Sequence, residues 1–393
     1  MAQQAIPLEP AGFDSAVVQE LIRTMYPEAT VNAVDVVDAA LSTDGDERVS
    51  TARRITVDVD VDYACDGSEN LPRRLTIKVA RPGFGDIPLY DNEVNVYALL
   101  ADELPVLMPR CVGVLRDKAL SSFGLVMEDL RIRKAEFPNV LTPVDAAGAK
   151  VLLDQLAALH ERYWQSPRFD ADLAWVLPHT SGPIHDLFTH EDGVPALIDW
   201  EVQTQQFKRE LVESVGETTG SLLQKVTAAQ RHQATLPTTL VHGDCHIGNT
   251  FSLPDGRRGL LDWQLTARGH CMHDVSYLIF TALSVRDRRR HEDDLIAHYR
   301  QRLVEIRCHR NSFGRGAPRR ASACSGVVLL HRLADDAAGE LRLGDQRRQP
   351  DQTGHGLSRP GQQQRLGCLA VRPHVGRRKR ANNASSPYSK TAS

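Results

Sequence analysis

Two short segments constrain the fold of this chain more than any other feature. They are Leu240–Asn249 (LVHGDCHIGN) and Gly259–Trp263 (GLLDW). Between them, Pro254-Asp255-Gly256 has the residue types of a tight turn, and the flanking TFSL and GLL segments are strand-like. The chain is therefore predicted to form a β-hairpin here, with polar side chains at both of its open ends.

The register of that hairpin depends on the length of its turn. With a four-residue turn at 254–257, Leu253 faces Arg258 and Asn249 faces Asp262. Directly paired residues have Cβ atoms about 4.5–5.5 Å apart. The expected result is an amide oxygen beside a carboxylate, which suits Mg²⁺ because this ion takes hard oxygen ligands.

A second carboxylate precedes the hairpin. Asp244 lies five residues before Asn249, in a predicted loop after the apolar segment at 239–241. A carboxylate beside a metal–phosphate site can accept the proton of an attacking hydroxyl. A loop Asp, then an Asn ligand, then an Asp ligand after a hairpin is the order found in kinases.

The HGDCHIGN and LLDW segments resemble the aminoglycoside phosphotransferase and choline- and ecdysteroid-kinase-like superfamily, which has the protein-kinase-like fold. The resemblance implies an enzyme that uses ATP and Mg²⁺ to phosphorylate a small molecule, most simply at a hydroxyl. It also implies that Asp244 is the catalytic base and that Asn249 and Asp262 bind the metal. His242 would support the catalytic loop, and Asp274 would anchor it from the next helix.

The first third of the chain agrees with that resemblance. Lys78 lies alone in the apolar strand LTIKVA, at the position of the lysine that contacts the ATP phosphates, and Glu93 in the following helical segment is its expected ion-pair partner. The segment LVMEDL resembles the hinge between kinase lobes. Backbone groups of Glu128, Asp129 and Leu130 would then hold the adenine.

Hydrophobic periodicity predicts an α+β protein with two lobes. Residues 1–128 are expected to form a β-rich lobe and residues 129–306 a mainly helical lobe. The resemblance implies that the first lobe binds the nucleotide and that the second is the catalytic lobe. The loop that covers the nucleotide is expected around Thr43–Thr51. The segments with the clearest periods are the strands Arg53–Tyr63 and Leu75–Val79 and the helices Asn92–Leu100, Val151–Trp164 and His291–Glu305.

The chain changes character near residue 306. Residues 307–393 contain 17 Lys and Arg against 5 Asp and Glu, which leaves 30 against 45 in residues 1–306. This basic tail has two aromatic residues and little hydrophobic period, so we expect most of it to be disordered. It is either a basic arm for nucleic acid or a membrane surface, or the translation of a shifted reading frame, which explains the abrupt loss of periodicity better.

Composition excludes several other classes of protein. The chain has 393 residues, a net charge of −3 and seven scattered cysteines without a CxxC pair, so a disulfide framework is not expected. Neither a signal peptide nor a membrane span is apparent. We therefore expect a cytoplasmic protein whose partner is a small-molecule hydroxyl acceptor, without nucleic acid or membrane; the oligomeric state stays open.

Three alternative interpretations remain. The histidines and cysteines around the two motifs suggest zinc, but their spacing matches no known zinc pattern. A non-catalytic or truncated nucleotide-binding homologue is possible because the tail replaces helices that complete the second lobe in the resembled superfamily. The run Arg286–Arg290 is either a solvated helix face or a contact for a substrate phosphate. The identity of the acceptor cannot be read from the sequence.

Overall fold

The strand predicted at Arg53–Tyr63 lies inside a five-stranded antiparallel sheet. The strands of this sheet are β1 Val31–Leu41, β2 Arg54–Tyr63, β3 Arg74–Ala80, β4 Cys111–Asp117 and β5 Ser122–Glu128. Their order is β1-β2-β3-β5-β4. The computed structural model describes residues 7, 9–41, 54–64, 70–80, 88–117, 122–139 and 141–313. The nucleotide-covering loop expected around Thr43–Thr51 lies outside the described residues.

The alternating pattern of β2 buries one side of the sheet. Val57, Val59 and Val61 are buried and pack in one cluster with Ile22 of helix α1, Ser15–Arg23. Successive side chains of a strand point to opposite faces, so the aspartates between the valines lie on the other face. This cluster is separate from the core beneath the helices and anchors the sheet on its own.

The helix that follows β3 carries Glu93, the glutamate of the predicted ion pair. Helix α2, Leu89–Asn95, continues into a π-helical turn at Val96–Leu100, in agreement with the helix predicted at Asn92–Leu100. Tyr90 stacks on Phe123 of β5 with ring centroids 4.1 Å apart. The helix is thereby held against the strands that flank the cleft.

Helices form the second half of the described chain. They are α3 Ala146–Arg162, α4 Gly182–Thr189, α5 Val194–Thr204, α6 Gln206–Ser214, α7 Thr219–Gln233, α8 Met272–Ala282 and α9 Val285–Phe313. Helix α3 confirms the amphipathic helix predicted at Val151–Trp164. It begins earlier because the Asp145 carboxylate accepts a 2.7 Å hydrogen bond from the Gly148 amide and caps the helix. The α+β class and the bilobal, kinase-like order of elements are as predicted.

The predicted hairpin is present, but its predicted register is wrong. Strands β7, Thr250–Ser252, and β8, Arg258–Leu260, pair so that Ser252 faces Arg258. The Leu253 amide donates to the Arg257 carbonyl at 2.8 Å, which leaves a loop of three residues rather than four. Gly256 has φ +86°, the left-handed conformation that closes such a loop.

The corrected register moves the hairpin partner of Asn249 by one residue. The Leu261 amide donates to the Asn249 carbonyl at 2.8 Å, so Asn249 faces Leu261 and not Asp262. A second small ladder joins β6, Thr239–Val241, to β9, Ala267–Gly269. These two ladders hold both ends of the loop that carries Asp244.

Helix α9 is longer than the helix predicted at His291–Glu305, and it passes residue 306 to end at Phe313. The rest of the basic tail, residues 314–393, lies outside the described residues, so the expectations about it stay predictions. Among the described helices, none combines the length and the apolar character that crossing a membrane requires.

Candidate active site

The lysine and the glutamate singled out in the first lobe form a buried ion pair. Lys78 Nζ on β3 lies 2.7 Å from Oε1 and 2.5 Å from Oε2 of Glu93 on α2. The Gln264 amide donates to Glu93 Oε2 at 3.1 Å, from 171 residues further along the chain. Since a buried charge is costly unless it is paired and hydrogen-bonded, this network fixes the position of the Lys78 ammonium group.

The ion pair faces the carboxylate that follows the hairpin. Lys78 Nζ lies 3.7 Å from Asp262 Oδ1. Asp262 has φ +62° and ψ +76°, a left-handed conformation that is uncommon for a residue with a side chain. It ends the strand here, and the 3₁₀ turn Trp263–Leu265 follows at once. The position of the Asp262 side chain is therefore set by this left-handed turn and not by pairing within the hairpin.

Helix α2 is tied to that same turn. Asn92 Nδ2 donates to the carbonyl oxygens of Gln264 at 3.2 Å and Thr266 at 2.8 Å. Asn92 is the neighbour of Glu93 in sequence, so the ion pair and Asp262 are held by one short connection between the sheet and the helical part.

The loop of Asp244 is anchored from beneath by Asp274 on α8. Asp274 accepts hydrogen bonds from the backbone amides of His242 at 2.7 Å and Gly243 at 2.9 Å, and its Oδ2 lies 3.1 Å from His160 Nε2. Burial alone would raise the pKa of Asp274. The hydrogen bond with His160 and the charge of the nearby imidazole groups outweigh burial, and together they hold the pKa of Asp274 well below its ordinary value. The Asp274 carboxylate is therefore a fixed negative charge under the loop.

Gly243 is required at the turn of this loop. Its φ is +86°, and a Cβ atom would lie 2.0 Å from the Leu265 carbonyl oxygen. The neighbouring His242 ring bridges the two motifs. Its Nδ1 accepts from the Asp244 amide at 3.2 Å, so the proton lies on Nε2, which donates to the Leu261 carbonyl at 2.9 Å. Burial lowers the pKa of His242, in keeping with a neutral structural ring.

Asp244 lies at the centre of the site. Asn249 Nδ2 donates to both Asp244 Oδ2 and the Asp244 carbonyl at 3.0 Å. Burial and then the negative charge of Asp262 raise the pKa of Asp244 to about 7. The Asp244 carboxylate therefore lies close enough to Asp262 to feel its charge, and Asp262 in turn lies 3.7 Å from the Lys78 ammonium group. The repulsion between the carboxylates is the kind of cost that a bound cation removes.

In the segment expected to hold adenine, two backbone amides already donate hydrogen bonds within the protein. The amides of Glu128 and Asp129 already donate to the carbonyl oxygens of Arg110 at 2.9 Å and Arg74 at 3.1 Å. Leu130 is buried and begins a 3₁₀ turn. A base edge at this segment would therefore have to use its carbonyl groups or other amides.

Sequence reasoning overlooked two side chains beside Asp244. His246 Nε2 lies 3.9 Å from Asp244 Oδ2, and its Nδ1 accepts from the Gly248 amide at 3.1 Å. Tyr277 of α8 is hydrogen-bonded to the Asp244 carboxylate, which helps to lower its pKa. Tyr277 follows Asp274 by three residues, so helical spacing could have placed it on the same side of α8.

The chain matches one protein-family model and is similar to several solved structures. Residues 52–311 match the model of the phosphotransferase enzyme family. A macrolide 2′-phosphotransferase type I structure is 16% identical, with 87% of this chain and 95% of that chain covered and a TM-score of 0.38. An ethanolamine kinase from Plasmodium vivax is 10% identical, with 69% and 70% covered and a TM-score of 0.42.

A spectinomycin phosphotransferase, solved with ADP and spectinomycin, is 13% identical, with 89% of this chain and 91% of that chain covered and a TM-score of 0.39. No curated protein sequence matches the chain.

Proposed function

The chain belongs to the phosphotransferase enzyme family, and from that premise we propose that it transfers the γ-phosphoryl group of ATP, with Mg²⁺, to a hydroxyl group of a small molecule. Family membership confirms the resemblance drawn from the HGDCHIGN and LLDW motifs. The observation that supports the proposal is the Lys78–Glu93 ion pair with Asp262 3.7 Å from its ammonium group, beside an Asp244 carboxylate that Asn249 holds.

In this proposal the positive charge of Lys78 receives the nucleotide phosphates. Glu93 and Gln264 hold the ammonium group in place, and a carboxylate oxygen of Asp262 lies 3.7 Å from it. A fixed cation in a buried site stabilises developing negative charge at no cost of reorganisation. The lobe of residues 1–128 would then bind the nucleotide, with the Glu128–Leu130 segment beside the base.

The metal-binding residues would be Asn249 and Asp262. Their amide and carboxylate oxygens are the hard donors that Mg²⁺ prefers, and Mg²⁺ usually takes only one or two carboxylates beside phosphate oxygens. The repulsion that raises the pKa of Asp244 supports a cation here, because Asp262 is its main charged cause. When bound, the metal ion neutralises charge on the phosphates and aligns them.

Asp244 would orient the acceptor hydroxyl and accept its proton. A carboxylate at this place can accept the proton of an attacking hydroxyl. Asn249 holds one carboxylate oxygen at 3.0 Å, and the backbone of the loop is fixed through Asp274. The catalytic lobe of residues 129–306 would supply this loop and the acceptor site.

The test compares wild type with Asp244→Asn. We expect turnover, measured as ADP release over a panel of hydroxyl compounds, to fall by about 10²–10⁴-fold, while Mg·ATP binding measured by calorimetry is kept. Asp255→Asn, in the exposed turn of the same hairpin, is the matched control and should keep full turnover.

Other outcomes separate the proposal from its alternative. Unchanged turnover in Asp244→Asn would remove Asp244 from the mechanism. Wild-type protein that binds Mg·ATP but turns over no acceptor would favour a non-catalytic nucleotide-binding protein, and wild-type protein that does not bind Mg·ATP would contradict both.

A further inference from the structure

Helix α8 exposes large apolar side chains on the side that leads away from the catalytic loop. Tyr277 is 38% exposed, Phe280 48% and Val285, at the start of α9, 62%. The opposite side of α8 is buried in the core through residues such as Leu278 and Ile279. We call Tyr277, Phe280 and Val285 the apolar strip. Exposed apolar surface that is contiguous in this way is typical of binding sites.

The apolar strip begins at Asp244. Tyr277 is hydrogen-bonded to the Asp244 carboxylate, and its ring lies 6.1 Å from the His246 ring. One turn further along α8, Thr281 Oγ1 accepts from the Ile247 amide at 3.0 Å. The helix is therefore fixed against the catalytic loop, and Phe280 lies one turn beyond Tyr277.

The far end of the strip is basic. Val285, Arg286, Arg289 and Arg290 form an open surface at the start of α9. No carboxylate of the described part of the chain lies within ion-pair distance of these three arginines. Three guanidinium groups at i, i+3 and i+4 repel one another, and the N-terminal end of a helix disfavours cations.

Two charged residues beside these arginines, Asp287 and Arg288, have other partners. Asp287, the acidic residue in the first turn of α9, accepts from the Ser284 hydroxyl at 2.8 Å. Arg288 pairs with Glu292 at 2.8 Å, and its guanidinium carbon lies 4.5 Å from the Phe280 ring centroid. That contact joins the apolar strip on α8 to the arginines on α9, so the two features form one continuous surface.

We propose that this surface binds the acceptor, and that the acceptor is a hydroxyl compound with an apolar body and a terminal carboxylate or phosphate group. The proposal rests on the proposed function. The hydroxyl lies at Asp244, the apolar body lies along Tyr277, Phe280 and Val285, and the anionic end lies among Arg286, Arg289 and Arg290.

The dimensions of the surface suit one extended ligand. From Tyr277 to Ala282 the helix rises about 7.5 Å, and the three residues to Val285 add at most about 11 Å. Tyr277 and Val285, the two ends of the apolar strip, are thus no more than about 18 Å apart, measured along the backbone. A carboxylate and a phosphate both suit the anionic end, because an arginine cluster recognises both through charge and paired N–H groups.

The experiment measures binding by calorimetry, so it does not depend on turnover. The probes are 10-hydroxydecanoate, 10-hydroxydecyl phosphate and the neutral 1,10-decanediol, each added to full-length protein with Mg·ADP. The variants are Arg286→Gln/Arg289→Gln/Arg290→Gln and, as a control, Arg23→Gln/Arg231→Gln on the exposed faces of α1 and α7. A Phe280→Ala variant tests the apolar strip separately.

We expect at least one anionic probe to bind wild type at least tenfold more tightly than the diol. The triple variant should lose that difference, while the control keeps it, and Phe280→Ala should weaken all three probes together. Comparison of carboxylate with phosphate identifies the preferred anion.

The proposal is overturned if no anionic probe binds more tightly than the diol, or if the control variant loses affinity as much as the triple variant. Loss of Mg·ATP binding or turnover in wild type would instead contradict the proposed function, so the two failures are distinguishable.

Discussion

Replacement of Asp274 by asparagine should destabilise the protein strongly without changing the shape of the side chain. One carboxylate oxygen accepts from the Gly243 amide at 2.9 Å; the other accepts from the His242 amide at 2.7 Å and lies 3.1 Å from His160. An asparagine amide has only one accepting oxygen. In Asp274→Asn one of the two backbone amides therefore loses its acceptor in a buried place.

The magnitude follows from these contacts. A buried donor left without a partner costs about 1–3 kcal/mol, and the remaining hydrogen bonds each lose roughly half their strength when the acceptor is no longer charged. The sum is about 3–5 kcal/mol of unfolding free energy. For a folded region of this size that corresponds to a fall in Tm of about 10 °C.

The assay is urea unfolding of the full chain, with Asp255→Asn as the exposed control that should leave the free energy of unfolding close to that of wild type. The effect also has a pH dependence. The folded pKa of Asp274 is depressed, so its contribution is present above the unfolded pKa of about 3.9 and is lost as the pH falls below it. A loss smaller than about 1 kcal/mol in Asp274→Asn at pH 7 would refute the role of the carboxylate in holding the loop.

Two further predictions concern the ion pair and the loop glycine. Glu93→Gln should lower the free energy of unfolding by about 3–5 kcal/mol, because it leaves the buried Lys78 ammonium without its main partner. Glu93→Gln combined with Lys78→Met should lower it by less than the sum of the two single changes. Additive losses in this double-mutant cycle would contradict the pairing. Gly256→Ala should cost about 1–2 kcal/mol through its left-handed φ alone. Gly243→Ala has the same φ of +86° but meets the Leu265 carbonyl, so it should abolish soluble folding; equal melting temperatures for the two variants would contradict the close approach.

The sequence by itself determined the elements and residues that local pattern controls. Strand β2 follows from strict alternation, and helices α3 and α9 follow from their apolar period. The pairing of Lys78 with Glu93 was expected from the resemblance to the kinase-like superfamily. For the strand and the two helices, the deciding pattern lies within the element itself.

Other elements lacked a clear local signal. Strand β1 was not predicted because its pairing with β2 shifts register between Val31 and Ala33 and again between Val36 and Asp38. Each irregularity reverses the faces of the side chains that follow, so the period of two is lost.

The tertiary structure alone decided how the site closes. The sequence placed Asn249 opposite Asp262 by assuming a four-residue turn. A left-handed Gly256 shortens that turn by one residue, and the left-handed Asp262 then directs its carboxylate to within 3.7 Å of Lys78. The contact between Gln264 and Glu93 and the anchoring of His242 by Asp274 join distant segments. Such contacts depend on packing between elements and on single backbone torsions, which a pattern of residue types does not specify.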